Sequence, residues 1–175
     1  MIKSLNSRKN FLSDPVRQLE VLSTGIFDPG GLPLFQEKLE ELNKYPLKPG
    51  ELEILQLNLG YMCNQVCSHC HVDAGPDRKE IMTRETMLQC LDVIRTTSAH
   101  TLDLTGGAPE MNPDFRWFVV EAAKAGIKDF IVRSNLTIIL ANKKYHDLPE
   151  FFRQYNIHVV SSLPFYKREK TDKQR

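Results

Sequence analysis

The stretch LEILQLNLGYMCNQVCSHCHVDAG, residues 52–75, joins a short strand to a loop that carries three cysteines. From Leu55 to Leu59, leucines alternate with polar side chains. In an extended chain this alternation places the leucines on one face and Gln56 and Asn58 on the other. The pattern predicts a strand over residues 52–59 with one face in the core, and it places the cysteines directly beyond the strand's carboxyl end.

Short β-rich runs then alternate with helix-length segments. A helix follows Thr83 as its N-cap, and Asn112 and Pro113 supply an N-cap and an N1 proline to a second helix that Gly126 closes. Further elements are predicted as strands over 101–105, 129–134 and 157–162, a helix over 147–155, and the beginning of a helix in the last nine residues. This order predicts an α/β fold, a partial (βα) barrel with about four βα units of parallel sheet.

The chain divides at two Pro/Gly-rich breaks in its first part. Residues 1–50 are predicted to be an N-terminal lead-in with one short helix after Pro33, whose apolar residues Phe35 and Leu39 we expect to pack on the main domain. Residues 51–175 are predicted to form an incomplete core domain, since an eight-unit barrel needs about 250 residues.

Charge and hydropathy limit the possible partners. The 175 residues carry 23 Lys and Arg against 22 Asp and Glu, a net charge of +1 without basic clusters. Neither nucleic acid nor a membrane surface is therefore expected as a partner. No apolar run approaches the roughly 18 residues of a membrane span, and the N-terminus has no signal-peptide pattern. We expect a cytoplasmic protein.

The cysteine loop has the spacing Cys63-x3-Cys67-x2-Cys70. In a reducing compartment, three thiols so close together are expected to share an inorganic partner. One interpretation is a zinc site completed by His69 or His71. Structural zinc, however, usually takes two separated ligand pairs, whereas three thiolates in one loop favour a [4Fe-4S] cluster with one iron left without a protein ligand.

This loop, together with the Gly-Gly turn after the second strand, resembles the radical S-adenosylmethionine (SAM) superfamily. More narrowly, the chain resembles the arsenosugar-biosynthesis radical SAM proteins that carry a Cys-rich C-terminal region. The likeness covers roughly residues 50 to 175, in CNQVCSHCHVDAGPDRKEIM (63–82), TLDLTGGAPEMNPDFRWFV (101–119), VRSNLTIIL (132–140) and HVVSSLPFYKREKTDKQR (158–175).

The resemblance implies an enzyme with two cofactors. The three cysteines would bind three irons of a [4Fe-4S] cluster, and the fourth iron would take the methionine end of SAM. Reductive cleavage of SAM would then give a 5′-deoxyadenosyl radical. By the same resemblance the substrate is a small molecule, a methylated arsenical in arsenosugar precursor synthesis, and a reducing electron donor is a further partner.

Other positions match the superfamily's SAM contacts. The turn Gly106-Gly107-Ala108-Pro109 stands where the superfamily has Gly-Gly-Glu-Pro, so Glu110 comes one residue late. The two glycines leave backbone N–H and C=O groups unobstructed for a small zwitterion. Polar groups at later strand ends and an aromatic position before the third cysteine complete the implied set, which is Ser134, Asn135, Ser162 and His69. Each of these residues could equally be an ordinary turn, cap or loop residue.

The sequence is shorter than the superfamily core that it resembles, because such cores use about six βα units and this sequence supplies four. We therefore expect a fragment that holds the cluster and part of the SAM site. Three hypotheses stay open: a radical SAM enzyme that needs a further C-terminal part, a zinc-binding module that uses the same cysteines, and an inactive fragment.

Overall fold

A four-stranded parallel sheet forms the centre of the molecule, with the strands in the order β1-β2-β3-β4. The computed structural model describes residues 4, 6–10, 13–23, 33–163 and 165–174. The strands are β1 (Ile54–Asn58), β2 (Thr101–Thr105), β3 (Asp129–Arg133) and β4 (Ile157–Val160). Each lies within the range that the sequence pattern predicts, and the partial βα barrel is confirmed.

Helices connect consecutive strands, as parallel neighbours require. The connecting helices are α3 (Arg84–Thr96), α4 (Phe115–Ala125), α5 (Thr137–Ala141) and α6 (Leu148–Gln154). The helices α1 (Pro15–Ser23) and α2 (Phe35–Glu41) precede β1, and α7 (Arg168–Gln174) follows β4. The Thr83 hydroxyl accepts a hydrogen bond from the Thr86 N–H at 3.3 Å, which confirms the predicted N-cap of α3. Gly126 ends α4 with φ +118°, as predicted.

One face of the sheet carries the core. In β1, Leu55 and Leu57 turn inward while Gln56 and Asn58 are exposed, which confirms the predicted alternation. On the neighbouring strands β2 and β3, the core residues are Leu102, Leu104, Phe130 and Val132, all buried. The same core includes buried residues of α3, α4 and α6, which are Met87, Leu91, Phe118, Val119, Leu148 and Phe152. The opposite face, which would line the inside of a barrel, is more polar and more open.

The start of α4 differs from the prediction. Asn112 is not its N-cap, because the helix begins at Phe115 after Asp114. Asn112 is instead 4% exposed, and its Nδ2 donates to the carbonyl oxygens of Leu59 at 3.0 Å and Met82 at 2.9 Å. The side chain thus joins the end of β1 to the segment before α3, a task that a local helix signal cannot reveal.

Two further helices lie outside the prediction. The pattern missed α5, which follows Leu136 at φ +59°, and it missed α1 in the lead-in. The predicted helix after Pro33 is present as α2, but none of its residues is buried, and the Phe35 side chain is 71% exposed. The expected packing of this helix on the core is therefore absent from the described structure.

No helix in the described ranges is both long and apolar enough to cross a membrane.

Candidate functional site

A pocket of about 270 Å³ opens at the carboxyl ends of the strands, where α/β folds place their ligands. The cysteine loop after β1 forms one wall, and the turn after β2 and the ends of β3 and β4 form the others. Nine of the eleven predicted site residues line the pocket: Cys63, Cys67, Cys70, His69, Gly106, Gly107, Ser134, Asn135 and Ser162. These nine residues therefore lie together around one pocket, as the sequence analysis expects. Their roles in binding a cofactor stay predictions.

Cys63 is the buried member of the cysteine group. Its Sγ accepts hydrogen bonds from the Gln65 backbone N–H at 3.4 Å and from the Asn135 side-chain amide at 3.5 Å. Burial raises the pKa of the Cys63 thiol and the thiols of Cys67 and Cys70 add to the rise, while these two hydrogen bonds partly offset it. The Cys63 thiol therefore stays neutral to higher pH than the thiol of a free cysteine.

Cys67 and Cys70 form a tight turn on the rim of the pocket. The Cys70 N–H donates to the Cys67 carbonyl oxygen at 3.1 Å, and the Cys70 Sγ accepts from the Ala74 N–H at 3.3 Å. Both residues are partly exposed. Across the described ranges, no three Cys, His, Asp or Glu side chains are grouped so as to hold a metal ion. The thiols share a wall of the pocket without forming a closed ligand cage.

The Gly106-Gly107 turn packs directly on the loop that carries the cysteines. The Gly107 and Ala108 N–H groups donate to the carbonyl oxygens of Gly60 and Met62, each at 2.9 Å. A Cβ on Gly106 would lie 2.5 Å from the Gly60 oxygen, and one on Gly107 would lie 2.5 Å from the Met62 oxygen. These glycines are thus required by backbone packing. With two N–H groups already used, the turn offers the Gly106 and Gly107 carbonyls, which accept no hydrogen bond from the described residues.

Two of the predicted cofactor residues lie behind the pocket wall. Ala108 and Pro109 are buried and are absent from the pocket lining. Pro109 begins a single 3-10 turn, Pro109–Met111, which continues the chain from the glycine turn toward α4. Their position supports the turn from behind, which differs from the direct contact that the motif likeness implies.

Asn135 and Ser134 are held by hydrogen bonds at the end of β3. The Ser134 hydroxyl accepts from the Leu136 N–H at 3.1 Å. The Asn135 Nδ2 donates to Asn64 Oδ1 at 2.9 Å as well as to Cys63, and the Asn64 Nδ2 donates to Thr137 Oγ1 at 2.9 Å. The sequence analysis missed Asn64 and Thr137, which tie the cysteine loop to the start of α5.

Glu110 lies on the 3-10 turn and is 5% exposed. Neither carboxylate oxygen makes a hydrogen bond of standard geometry within the described structure. Burial raises the pKa of Glu110, and the nearby Ser134 hydroxyl and the residue's own backbone N–H offset only part of the rise. Glu110 is not among the residues that line the pocket.

The polar face of the sheet carries an ion pair that the sequence analysis did not identify. Asp103 on β2 is only 5% exposed, and its carboxylate accepts from Arg133 Nε at 3.0 Å and Nη2 at 2.7 Å. The Gln56 Nε2 on β1 donates to the same carboxylate at 2.6 Å. Hydrogen bonding to Asp103 raises the pKa of Arg133, so the three strands share one charged network beside the pocket.

Ser4, Asn6 and Ser7 of the N-terminal segment bind the part of the loop that follows the third cysteine. The Ser4 N–H and hydroxyl donate to the Asp77 carboxylate at 3.3 Å and 2.9 Å, and Ser7 donates to it as well. The Asn6 N–H donates to the Asp73 Oδ2 at 2.7 Å, and Arg78 pairs with Asp73 at 3.2 Å. The lead-in therefore contributes directly to the support of this loop.

Sequence comparison finds distant relatives named probable GTP 3′,8-cyclase. The chain is 26% identical to the protein from Sulfolobus acidocaldarius over 85 residues, 49% of this chain and 27% of that protein. It is 28% identical to the one from Saccharolobus solfataricus over 119 residues, 66% of this chain and 38% of that protein. The chain thus spans well under half the length of these curated relatives. No protein-family model matches it.

Structure comparison finds Streptococcus suis SuiB, with a TM-score of 0.54 and 14% sequence identity. The match covers 90% of this chain and 37% of SuiB. At this identity the likeness concerns the fold, and it fits a partial βα barrel. Together, the distant sequence similarity and the shared fold support a relationship of this chain to the radical SAM superfamily.

Proposed function

We propose that this chain carries the cofactor-binding part of a radical SAM enzyme. Cys63, Cys67 and Cys70 would hold three irons of a [4Fe-4S] cluster, and the fourth iron would be left for SAM. The observation that carries the proposal is the position of three thiols from one loop on the wall of a pocket at the carboxyl edge of a parallel sheet.

The surroundings of the thiols suit this donor set. Iron-bound sulfur atoms commonly accept hydrogen bonds from nearby N–H groups, which tune the cluster. Here Cys63 accepts from Gln65 and Asn135, and Cys70 accepts from Ala74. When bound, the cluster supplies the electron that cleaves the S–C5′ bond of SAM to methionine and a 5′-deoxyadenosyl radical.

SAM would bind across the pocket from the cysteine loop. The Gly106 and Gly107 carbonyls are acceptors without a partner in the described structure, which suits the ammonium group of the methionine end. Ser134, Asn135 and Ser162 lie at the strand ends, and the exposed ring of His69 stands on the rim. We assign hydroxyl and amide contacts to the strand-end groups and a stacking surface for adenine to His69.

The substrate assignment rests on the likeness of the motifs to arsenosugar-biosynthesis proteins. We propose that the deoxyadenosyl group is joined to a methylated arsenical to give an arsenosugar precursor. A cytoplasmic reducing electron donor would be the partner, and the near-neutral charge favours neither nucleic acid nor a membrane. Since the alignments cover 27% and 38% of the two relatives, we assign to these residues the cofactor-binding part of the reaction and not the whole of it.

Anaerobic reconstitution with iron and sulfide, followed by EPR of the reduced chain with and without SAM, tests the cofactor assignment. We expect a [4Fe-4S] signal that shifts on addition of SAM. The signal should be lost in Cys67→Ala and retained in Cys90→Ala, since Cys90 lies on α3 away from the pocket. Colourless protein with stoichiometric zinc would instead support the zinc-binding alternative and contradict the proposal.

A further inference from the structure

A groove of about 450 Å³ lies on the polar face of the sheet beside the cysteine pocket. It is lined by Gln56, Asn58, His71, Val72, Thr105 and Arg133, and it shares the last two of these and His71 with the pocket. A molecule in this groove would therefore lie next to whatever the cysteine pocket holds. Nothing in the cofactor assignment uses Gln56, Asn58 or Arg133.

Arg133 is fixed in the groove by its ion pair. Its Nε and Nη2 donate to Asp103, whereas its Nη1 makes no hydrogen bond to the described residues, and the side chain is 46% exposed. Since Asp103 is itself nearly fully buried and also accepts from Gln56, the guanidinium cannot turn without leaving a buried carboxylate poorly satisfied. Arg133 thus presents a donor edge of fixed orientation to the groove.

Asn58 adds a second oriented donor. Its Oδ1 accepts from the Gly60 N–H at 2.8 Å, while its Nδ2 has no partner in the described part of the chain. The Thr105 hydroxyl, at the end of the neighbouring strand, is likewise without a side-chain partner there. Within the described residues, Arg133 Nη1 and Asn58 Nδ2 are thus free donors in the groove. The Thr105 hydroxyl can donate or accept, and Gln56 Oε1 is an acceptor. The buried Asp103 carboxylate is already paired with Arg133.

We propose that this groove binds the oxygen-bearing end of a small oxyanion, with Arg133 Nη1 and Asn58 Nδ2 as its donors. The inference rests on the proposed function in one respect: the bound anion would lie beside the pocket that is proposed to hold SAM. A methylated arsenic oxyanion and a phosphate share this chemistry, and an experiment can separate them.

Calorimetric titration of the full chain with dimethylarsinate, and separately with inorganic phosphate, tests the site. The informative variant is Asn58→Asp, because the new carboxylate keeps an acceptor for the Gly60 N–H but places a negative charge in the groove. We expect this variant to bind the anion at least roughly tenfold more weakly, since a negatively charged carboxylate replaces a hydrogen-bond donor. Arg133→Lys keeps a cation opposite Asp103 and should also weaken binding, because it removes the fixed fork.

Asn142→Asp is the matched control. Asn142 is an exposed amide whose Oδ1 accepts from the Lys144 N–H at 3.1 Å and which does not line the groove. The change therefore adds the same charge outside the groove and keeps a local cap. Its anion affinity should equal that of the unchanged chain. Preference for dimethylarsinate over phosphate would identify the arsenic oxyanion, and the reverse preference would identify a phosphate-bearing ligand.

Two results overturn the inference: no measurable binding of either anion, or binding that Asn58→Asp and Asn142→Asp change equally. The same titration of Cys67→Ala separates the inference from the proposed function. Anion binding that depends on Asn58 and survives in Cys67→Ala supports the groove even if the cluster and SAM tests fail. A SAM-dependent EPR shift without anion binding would leave the proposed function standing and remove the inference.

Discussion

The side-chain amide of Asn135 lies 3.5 Å from the Sγ of Cys63, although the two residues are 72 positions apart in the chain. The contact connects the end of β3 to the cysteine loop, and Asn64 reinforces it from the loop side at 2.9 Å. In the proposed enzyme, an N–H donor at this sulfur would stabilise the more negative, reduced state of the cluster.

Replacement of Asn135 by alanine should therefore lower the reduction potential of the reconstituted cluster. One such hydrogen bond contributes about 1 kcal/mol, which corresponds to roughly 40 mV for a one-electron couple. An EPR-monitored redox titration measures this value. Asn142→Ala, which removes an exposed amide outside the pocket, should leave the potential unchanged, and an equal potential in all three proteins would contradict the assigned role.

Substitution of glycine by alanine should destabilise the chain by different amounts at Gly106, in the turn after β2, and at Gly126, at the end of α4. Gly106 combines φ +138° with a Cβ position 2.5 Å from the Gly60 oxygen, whereas Gly126 has φ +118° with open space around it. We expect Gly126→Ala to cost about 1 kcal/mol from backbone conformation, and Gly106→Ala to cost roughly 2–4 kcal/mol because a clash is added. Urea unfolding of the purified variants measures both values.

Gly50→Ala is the control, because a Cβ at Gly50 would meet nothing within 4 Å. Its unfolding free energy should stay within about 0.5 kcal/mol of the unchanged chain. A Gly106→Ala protein as stable as Gly126→Ala would show that the loop before Cys63 can move away from the turn at little cost.

Local sequence signals predict the sheet and most of its helices because they depend on neighbouring residues. Alternation in residues 55–59, the Thr83 cap and the Gly126 stop each act within one or two turns of chain, and the structure keeps all three. Asn112 shows the limit. It carries a helix-cap signal, but its amide binds two carbonyls from distant segments, so the tertiary contacts replace the local preference.

Tertiary contacts also explain why the sequence analysis did not identify several residues of the site. Asp103 is an ordinary polar position in a strand until β1 and β3 bring Gln56 and Arg133 to it. Asn64 meets Asn135, and Ser4 meets Asp77, across separations of 71 and 73 residues. The cysteine spacing could be identified because metal-binding motifs are compact in sequence, whereas the groups that support them are gathered by the fold.

Glu110 makes the stability of the chain depend on pH. Because burial raises its pKa, the folded state binds this proton more tightly than the unfolded state, whose glutamate titrates near pH 4.3. The stabilising effect of protonation is thus present in acid and is lost as the pH rises from about 4.3 through the folded-state pKa. Glu110→Gln should remove this dependence and stabilise the chain at pH 8 by roughly 1–3 kcal/mol.

Urea unfolding at pH 5 and pH 8 compares the two proteins. The difference between Glu110→Gln and the unchanged chain should be larger at pH 8. Glu51→Gln changes an exposed glutamate and serves as the control, with no difference expected at either pH. A Glu110→Gln protein that is less stable at pH 8 would show that the charged carboxylate has a stabilising partner.

The last prediction concerns the clasp formed by Ser4 and Asp77. Asp77→Asn removes the charged acceptor for the Ser4 and Ser7 hydroxyls, so Ser4 and residues 6–10 should separate more often from the segment that carries Asp77. Limited trypsin digestion at neutral pH reports this as faster cleavage after Arg8 and Lys9. Asp129→Asn, at an exposed strand residue, should be cleaved at the rate of the unchanged chain.

The same contact predicts a pH window. The Ser7 hydroxyl, with a smaller contribution from Ser4, lowers the pKa of Asp77 from 3.8 to about 2. A lowered carboxyl pKa stabilises the folded contact above the unfolded value near 3.9, and the stabilisation is lost as the pH falls toward about 2. Pepsin cleavage within residues 1–10 should accelerate over this range in the unchanged chain. In Asp77→Asn cleavage should already be fast at pH 4, because the neutral amide has no charge left to lose; equal pH profiles for the two proteins would rule out the clasp.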